Sequence, residues 1–295
     1  MSYYGLTEAE YKEFQTKIVE TQLLPAVHRS CCSFTPAPFK FQDTHPTVTP
    51  INMTDFKTWS LAPHAIDDKA DVLFGETTDY YYRLQRTILI NNAMLKVSRT
   101  HGEPLDTTLA RQTTRYLDKE LEAFLFQGPY INGARLTTAG FRNKAGNEST
   151  YDTVKFAAAS GPYNTVNNMV GLCEADGFTG PFTLIADTTL APYLRGLPAT
   201  DSAFTERQRI LDNLPITNIL ISNQMGAATT DDGVLILVEN KAINYEIKTP
   251  QGLGLSEMLV WDPSTDTWGG RIEGFYCFKT YQANAICKHE NVDLA

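Results

Sequence analysis

The longest run of helical periodicity in the chain is EPLDTTLARQTTRYLDKELEAFLFQG, Glu103–Gly128. Leu105, Leu109, Tyr116, Leu117, Leu121, Phe124 and Leu125 recur at near-helical spacing and make one apolar stripe. Pro104 suits a first turn, where a missing N–H costs nothing, and Gly128-Pro129 is a stop signal. Arg111, Arg115, Asp118, Lys119 and Glu122 fill much of the remaining surface. An earlier helix is predicted over residues 6 to 24. Leu6-Thr7-Glu8 opens it as a capped turn, Phe14, Ile18, Leu23 and Leu24 form its apolar side, and Pro25 ends or kinks it. Residues 71 to 99 alternate in strand fashion around Tyr80, Tyr82, Leu84, Ile88 and Ile90.

The second half alternates between the two periods. Residues 129 to 147, rich in Gly and Asn, read as a loop. Residues 162 to 175 predict a helix with Val166, Met169, Val170 and Cys173 on one face. Phe182–Ala186, after Gly180-Pro181, is a short apolar run that predicts a buried strand. Thr188–Leu197 and Thr205–Leu211 predict short helices. Ile216–Ser222 and Val234–Val238 predict strands, with Asp231-Asp232-Gly233 between them as a hairpin-type signal. Tyr245, Ile247, Phe275, Tyr276, Phe278 and Tyr281 mark further strands, and Ala283–His289 closes the fold.

One stretch fits neither period. Between Thr35 and Pro63 stand five prolines, Pro36, Pro38, Pro46, Pro50 and Pro63, which exclude a helix. Phe34, Phe39, Phe41, Phe56 and Trp59 argue against disorder, because disordered segments are poor in aromatics. The expectation is an extended arm whose burial partners lie on another chain.

At 295 residues the chain can bury a large core as one elaborate domain or two modest ones. The net charge of −9 argues against a protein whose main surface grips nucleic acid, while 25 Lys and Arg leave room for a local basic face. No secretory signal opens the sequence, and no window is apolar enough to span a membrane. The sequons at Asn52 and Asn147 therefore read as chance matches. The five cysteines form no CxxC pair and read as reduced, buried thiols.

The search for chemistry finds no GxSxG, HExxH, GxxxxGK[ST] or GxGxxG signature. His28, His45, His64, His101 and His289 lack metal-ligand spacing, so neither a metal nor another cofactor is expected. Glu120 and Glu122 are two residues apart and face different sides of their helix. Gly252-Leu253-Gly254 reads as a turn, Asp231-Asp232 as a turn rather than a cation site, and Cys173 as a core thiol. Arg207 and Arg209 in TERQR are either a solvated face or an ion-pairing element between subunits.

Several stretches, in order, resemble one family. LDTTLARQTTRYLDKELEAFLFQG resembles the spine helix of encapsulins and related major capsid proteins. EADGFTGPFTLIADTTLAPYL, Glu174–Leu194, is similar to that family's EADGYxGPY segment, and ERQRIL, Glu206–Leu211, to the stretch that follows it in viral members. LTEAEYKEF resembles the family's opening helix. The resemblance covers most of residues 6 to 290.

It implies an α+β chain with the Hong Kong 97-type capsid fold: an N-terminal arm, an extended loop, a peripheral domain with a long spine helix, and an axial domain. The implied division is 1–36 for the arm, 37–98 for the extended loop and its flanking strands, and 99–155 for the peripheral domain. Residues 156–270 would form the axial domain, and 271–295 would return to the peripheral one. The implied role is structural and not enzymatic. It is a major capsid protein that self-assembles as pentamers and hexamers of an icosahedral shell around double-stranded DNA, without reading its sequence. Assembly in the host cytoplasm, in the virion capsid, with separate scaffolding, portal or decoration proteins and no membrane, goes with that role. The alternative is an encapsulin shell around a cargo enzyme, with the N-terminal helix lining a cargo-peptide groove. Expected inter-subunit contacts are Phe39, Phe41, Phe56, Trp59, Tyr80, Tyr82, Arg207 and Arg209. Some capsids of this fold carry a Lys–Asn cross-link; Lys57, Lys69 and Asn284 are present, but nothing in the sequence pairs them.

Overall fold

A computed structural model describes residues 2–3, 6–22, 27–38, 42–50, 72–101, 108–150, 155–198, 204–226, 232–240, 244–255 and 260–293. Leu23, Leu24, Pro25, Phe39, Phe41, Phe56, Lys57, Trp59, Pro63, His64, Lys69, Glu103–Thr107 and Asp231 lie outside the described residues. Two hydrophobic cores organise the chain.

The first core lies between a sheet and two helices. The strand Thr267–Thr280 pairs antiparallel with Tyr82–Asn91 and with Tyr245–Leu255. Val260–Asp262 and Phe34–Pro36 extend the sheet at either side, the latter in parallel. Ile88, Ile90, Ile247, Ile272, Tyr276 and Phe278 are buried with Phe14 and Ile18 of the helix Glu8–Gln22. The long helix, Thr108–Gln127, contributes Ala110, Leu117, Leu121, Phe124, Leu125 and Phe126 to the same core. Each such side chain contributes about 1.5–3 kcal/mol when fully buried. Glu8–Gln22 opens with a capping box: Thr7 N–H donates to Glu10 Oε2 at 2.7 Å, and Glu10 N–H donates to Thr7 Oγ1 at 3.3 Å.

The long helix corrects its own sequence pattern. Ala110, Thr113, Thr114, Leu117 and Leu121 define the buried line, whereas Leu109 and Tyr116 are exposed. At about 100° per residue, positions 109 and 116 lie roughly a quarter turn off that line. Tyr116 instead lies under the Arg86 guanidinium, 4.1 Å from its ring centroid. The helix ends as expected. Gly128 adopts φ +90, its N–H bonds Phe124 O at 2.9 Å, and a Cβ there would stand 2.2 Å from Leu136 O.

The second core is built on a five-stranded sheet in the order Ile216–Ser222, Phe182–Asp187, Asp232–Glu239, Ile286–Asp293, Asn147–Glu148. All six residues of Phe182–Asp187 are buried because both faces of this sheet are covered. Ile185, Val234, Ile236, Val238 and Ile286 point into the first core. Leu184, Ala186, Leu235, Leu237 and Cys287 point the other way, onto Val166, Met169, Val170 and Cys173 of the helix Gly161–Ala175 and Ile210 of Glu206–Asn213. The period-two alternation of the strands thus joins the two cores. Cys173 is the core thiol expected.

Four local readings are corrected. Ile216–Ser222 and Asp232–Glu239 do not form a hairpin, because Phe182–Asp187 lies between them, parallel to the first and antiparallel to the second. The alternation over 71 to 99 stops at Asn91, and Asn92–His101 is helical, with Ala93 N–H donating to Asn91 Oδ1 at 2.7 Å. Gly252 and Gly254 lie inside the strand Tyr245–Leu255, at a register shift rather than a turn. The Gly- and Asn-rich 129–147 segment contains a hairpin, Tyr130–Ile131 with Ala134–Arg135, and the helical turn Phe141–Lys144.

The Pro-rich region is extended where it is described. Gln42–Pro50 pairs antiparallel with Val72–Tyr80 from Gln42↔Tyr80 to Pro50↔Val72, as a two-stranded ribbon.

Candidate assembly surface

The ribbon is the first element of this surface. Two strands alone are marginally stable in water, so a ribbon of this length calls for burial against something further. Among the described residues no third strand joins it. At its base Tyr80 is exposed, and Asp79 is buried with Lys144 Nζ 3.4 Å from its carboxylate. Tyr82, two residues on, is half-buried: its ring packs on Phe124 at 5.7 Å, and its hydroxyl meets Thr138 Oγ1 at 2.6 Å. Burial raises the Tyr82 pKa, opposed by that hydrogen bond. The two tyrosines therefore do not form one exposed cluster.

Arg207 and Arg209 stand on the helix Glu206–Asn213, capped by Thr205, whose Oγ1 accepts from Gln208 N–H at 3.2 Å. Arg207 is exposed and donates to Ile219 O at 3.2 Å. Arg209 donates to Ser160 Oγ at 2.6 Å, covers the Tyr163 ring at 4.2 Å and lies 3.7 Å from the buried Glu206. Glu206 faces the backbone N–H groups of Ser160 and Tyr163 at the start of Gly161–Ala175, and burial raises its pKa. Arg209 thus has a structural task within its own chain.

A hairpin, Tyr130–Ile131 with Ala134–Arg135, follows the long helix where the sequence pattern predicts only a loop. Asn132 and Gly133 both have positive φ, the signature of a tight hairpin turn, and Asn-Gly was its legible signal. The turn presents Tyr130 at 60% exposure and Ile131 at 39%. Arg135 fixes the hairpin to the helix, donating to Gly128 O at 3.1 Å and lying 3.4 Å from Glu120. Its guanidinium stands 5.3 Å from the Tyr130 ring centroid. Leu197 and Phe204 are a second exposed apolar pair, before and after residues 199–203. Glu120 and Glu122 part as expected: Glu120 turns to Arg135, Glu122 to Ser222 and His28.

No family profile and no curated protein matches the chain. Solved structures do. A virus-like particle from Pyrococcus furiosus superposes with a TM-score of 0.68 at 10% identity, over 96% of this chain and 100% of that one. The capsid of Myoviridae phage XM1 gives 0.66 at 9% identity, over 90% and 92%. Mycobacterium phage Ogopogo gives 0.62 at 15% identity, over 90% and 91%. The chain has the α+β Hong Kong 97-type capsid fold, as the motif resemblance implied.

Proposed function

We propose that the protein is a shell subunit: a major capsid protein that closes with copies of itself into an icosahedral shell around double-stranded DNA. The observation that carries this reading is the nearly complete two-way overlap with solved shell structures, 96% and 100% with the Pyrococcus particle and 90% and 92% with the phage XM1 capsid. The two-stranded ribbon supports it: two strands alone are marginally stable in water, and among the described residues no third strand joins these, so a neighbouring copy is the proposed packing partner. A structural rather than catalytic role goes with this reading. So do assembly in the host cytoplasm and separate scaffolding, portal or decoration proteins. Phe39, Phe41, Phe56, Trp59, Tyr80, Tyr82, Arg207 and Arg209 remain the proposed contacts, joined by Tyr130 and Ile131.

The proposed regions follow the two cores. Residues 1–36 are the arm, 37–98 the extended loop and 99–155 the peripheral domain, with the axial domain after them. The proposed axial domain is 156–270 and the proposed return 271–295; Tyr245, Ile247, Leu253 and Leu255, ahead of that boundary, already pack into the core of the long helix.

The second reading is an encapsulin-type compartment around a cargo enzyme, favoured by the full coverage of the Pyrococcus particle. Sedimentation of the purified full chain tests the shell, and the contents separate the two readings. Nuclease-protected double-stranded DNA supports the capsid, and one co-purifying enzyme supports the compartment. A slowly sedimenting small oligomer under every assembly condition tried, with the missing partner proteins supplied, refutes both.

A further inference from the structure

The chain as a whole is acidic, with a net charge of −9, yet the exposed face of its long helix is basic. Arg111, Arg115 and Lys119 follow one another at four-residue spacing, and all three are exposed. Two such steps rise about 12 Å along a helix. Thr108 and Gln112, exposed on the same face, are neutral. Arg86, exposed on the adjoining strand, adds a fourth cation: stacking on Tyr116 holds its planar guanidinium beside the row.

The acids of this helix are turned elsewhere. Asp118 is engaged by Arg29 and His28, Glu122 by His28 and Ser222, and Glu120 by Arg135. Among the described residues, none of the four cations has a carboxylate within ion-pair distance. Arg111 acts on Glu20 at longer range, and Glu20 pairs with Lys17 at 2.9 Å. Like charges at four-residue spacing destabilise a helix, so the row is unfavourable in the bare subunit and favourable only opposite a polyanion. Double-stranded DNA carries about one charge per 1.7 Å of axis, so a row of this length spans several phosphates in any register.

We propose that Arg86, Arg111, Arg115 and Lys119 form a sequence-independent contact for the phosphate backbone of double-stranded nucleic acid. The inference rests on the shell reading above and gives it a lumenal face, that of the long helix. A few contacts per subunit, repeated over a shell, hold a polyanion loosely and without reading bases.

The test uses the full chain kept unassembled at low concentration, a DNA duplex of about 30 base pairs, and salt varied from about 50 to about 200 mM. The variant is Arg111→Gln/Arg115→Gln/Lys119→Gln; Arg86 stays because it packs on Tyr116. Each lost phosphate contact makes the slope of log affinity against log salt shallower by about 0.9. The expected result is a variant slope shallower by about 2 to 3 and binding at least about tenfold weaker at the lowest salt, with the melting temperature equal or slightly higher and particle yield unchanged. Equal slopes overturn the inference, as does wild-type chain that forms particles but does not bind the duplex, an outcome that leaves the shell reading standing. Lost particle yield with unchanged DNA binding also overturns it, and assigns the row to a neighbouring subunit's acidic surface. A wild-type chain that never forms particles defeats the shell reading, and with it the lumenal assignment, whatever the slopes.

Discussion

His28 Nε2 lies 3.5 Å from Asp118 Oδ1, and the imidazole is wholly buried. Its other ring nitrogen, Nδ1, lies 3.6 Å from Glu122 Oε2, so one side chain stands between two carboxylates a helical turn apart. Asp118 is also engaged by Arg29, and Glu122 by Ser222 of the central sheet. Burial raises the Asp118 pKa, while His28 and Arg29 oppose that rise. The cluster ties the short helix Val27–Cys31, the long helix and the second sheet together.

His28→Ala should therefore destabilise the folded chain by about 2–4 kcal/mol, chiefly through the cavity it leaves, since Asp118 keeps Arg29 and Glu122 keeps Ser222. Urea denaturation reads this directly. A loss below about 0.5 kcal/mol would contradict the cavity argument.

Gly128→Ala places a Cβ 2.2 Å from Leu136 O, at a φ of +90 that side chains rarely adopt. The expected cost is about 3 kcal/mol or more, or failure to fold, because helix end and hairpin meet there. Gly133 has the same sign of φ but nothing within 4 Å. Gly133→Ala should cost only about 1 kcal/mol, from backbone strain alone. Equal losses at the two positions would remove the packing argument for Gly128.

Much of this architecture could be read from the chain. The helix Gly161–Ala175, the buried strand Phe182–Asp187 and the Thr205 cap each follow from a local signal that no distant contact overrides. Strand order could not be read this way. Whether Ile216–Ser222 pairs with Asp232–Glu239 depends on a third strand competing for both edges, and an Asp-Gly turn signal says nothing about that competitor. Tyr116 differs from the expected stripe because it lies only about a quarter turn off the buried line, at its edge, where it takes the Arg86 guanidinium instead of a core neighbour. Two signals were present and unread: Asn91 as a helix cap and Asn132-Gly133 as a hairpin turn. Arg209 illustrates the limit of motif reading, since its partners lie some fifty residues earlier in the chain: Ser160 Oγ accepts its hydrogen bond at 2.6 Å, and the Tyr163 ring lies under its guanidinium at 4.2 Å.

Arg142 Nε donates to Glu290 Oε1 at 2.6 Å, and Arg142 also donates to Gly226 O. That hydrogen bond, more than Arg142 charge alone, holds the Glu290 pKa below its ordinary 4.5. A lowered carboxylate pKa favours the charged form in the folded chain. Its stabilisation is thus present above the ordinary value and lost as pH falls through the folded one. Glu290→Gln should cost about 1 kcal/mol near neutral pH, discounted for partial exposure, and almost nothing in strong acid. Parallel pH–stability curves for the two proteins would contradict the assignment.

Tyr130→Ser/Ile131→Ser removes apolar surface that the subunit itself leaves exposed. Its melting temperature should change by no more than about 2 °C, while particle yield falls several-fold. Normal yield would take the hairpin out of the contact surface.

The central claim is that this subunit builds a closed shell, and electron microscopy of the purified full chain tests it most directly. Closed particles with icosahedral symmetry are expected, in whose walls each subunit occupies density for the long helix and the two sheets. A uniform population of small open oligomers, persisting at high concentration and with scaffolding proteins supplied, would contradict it.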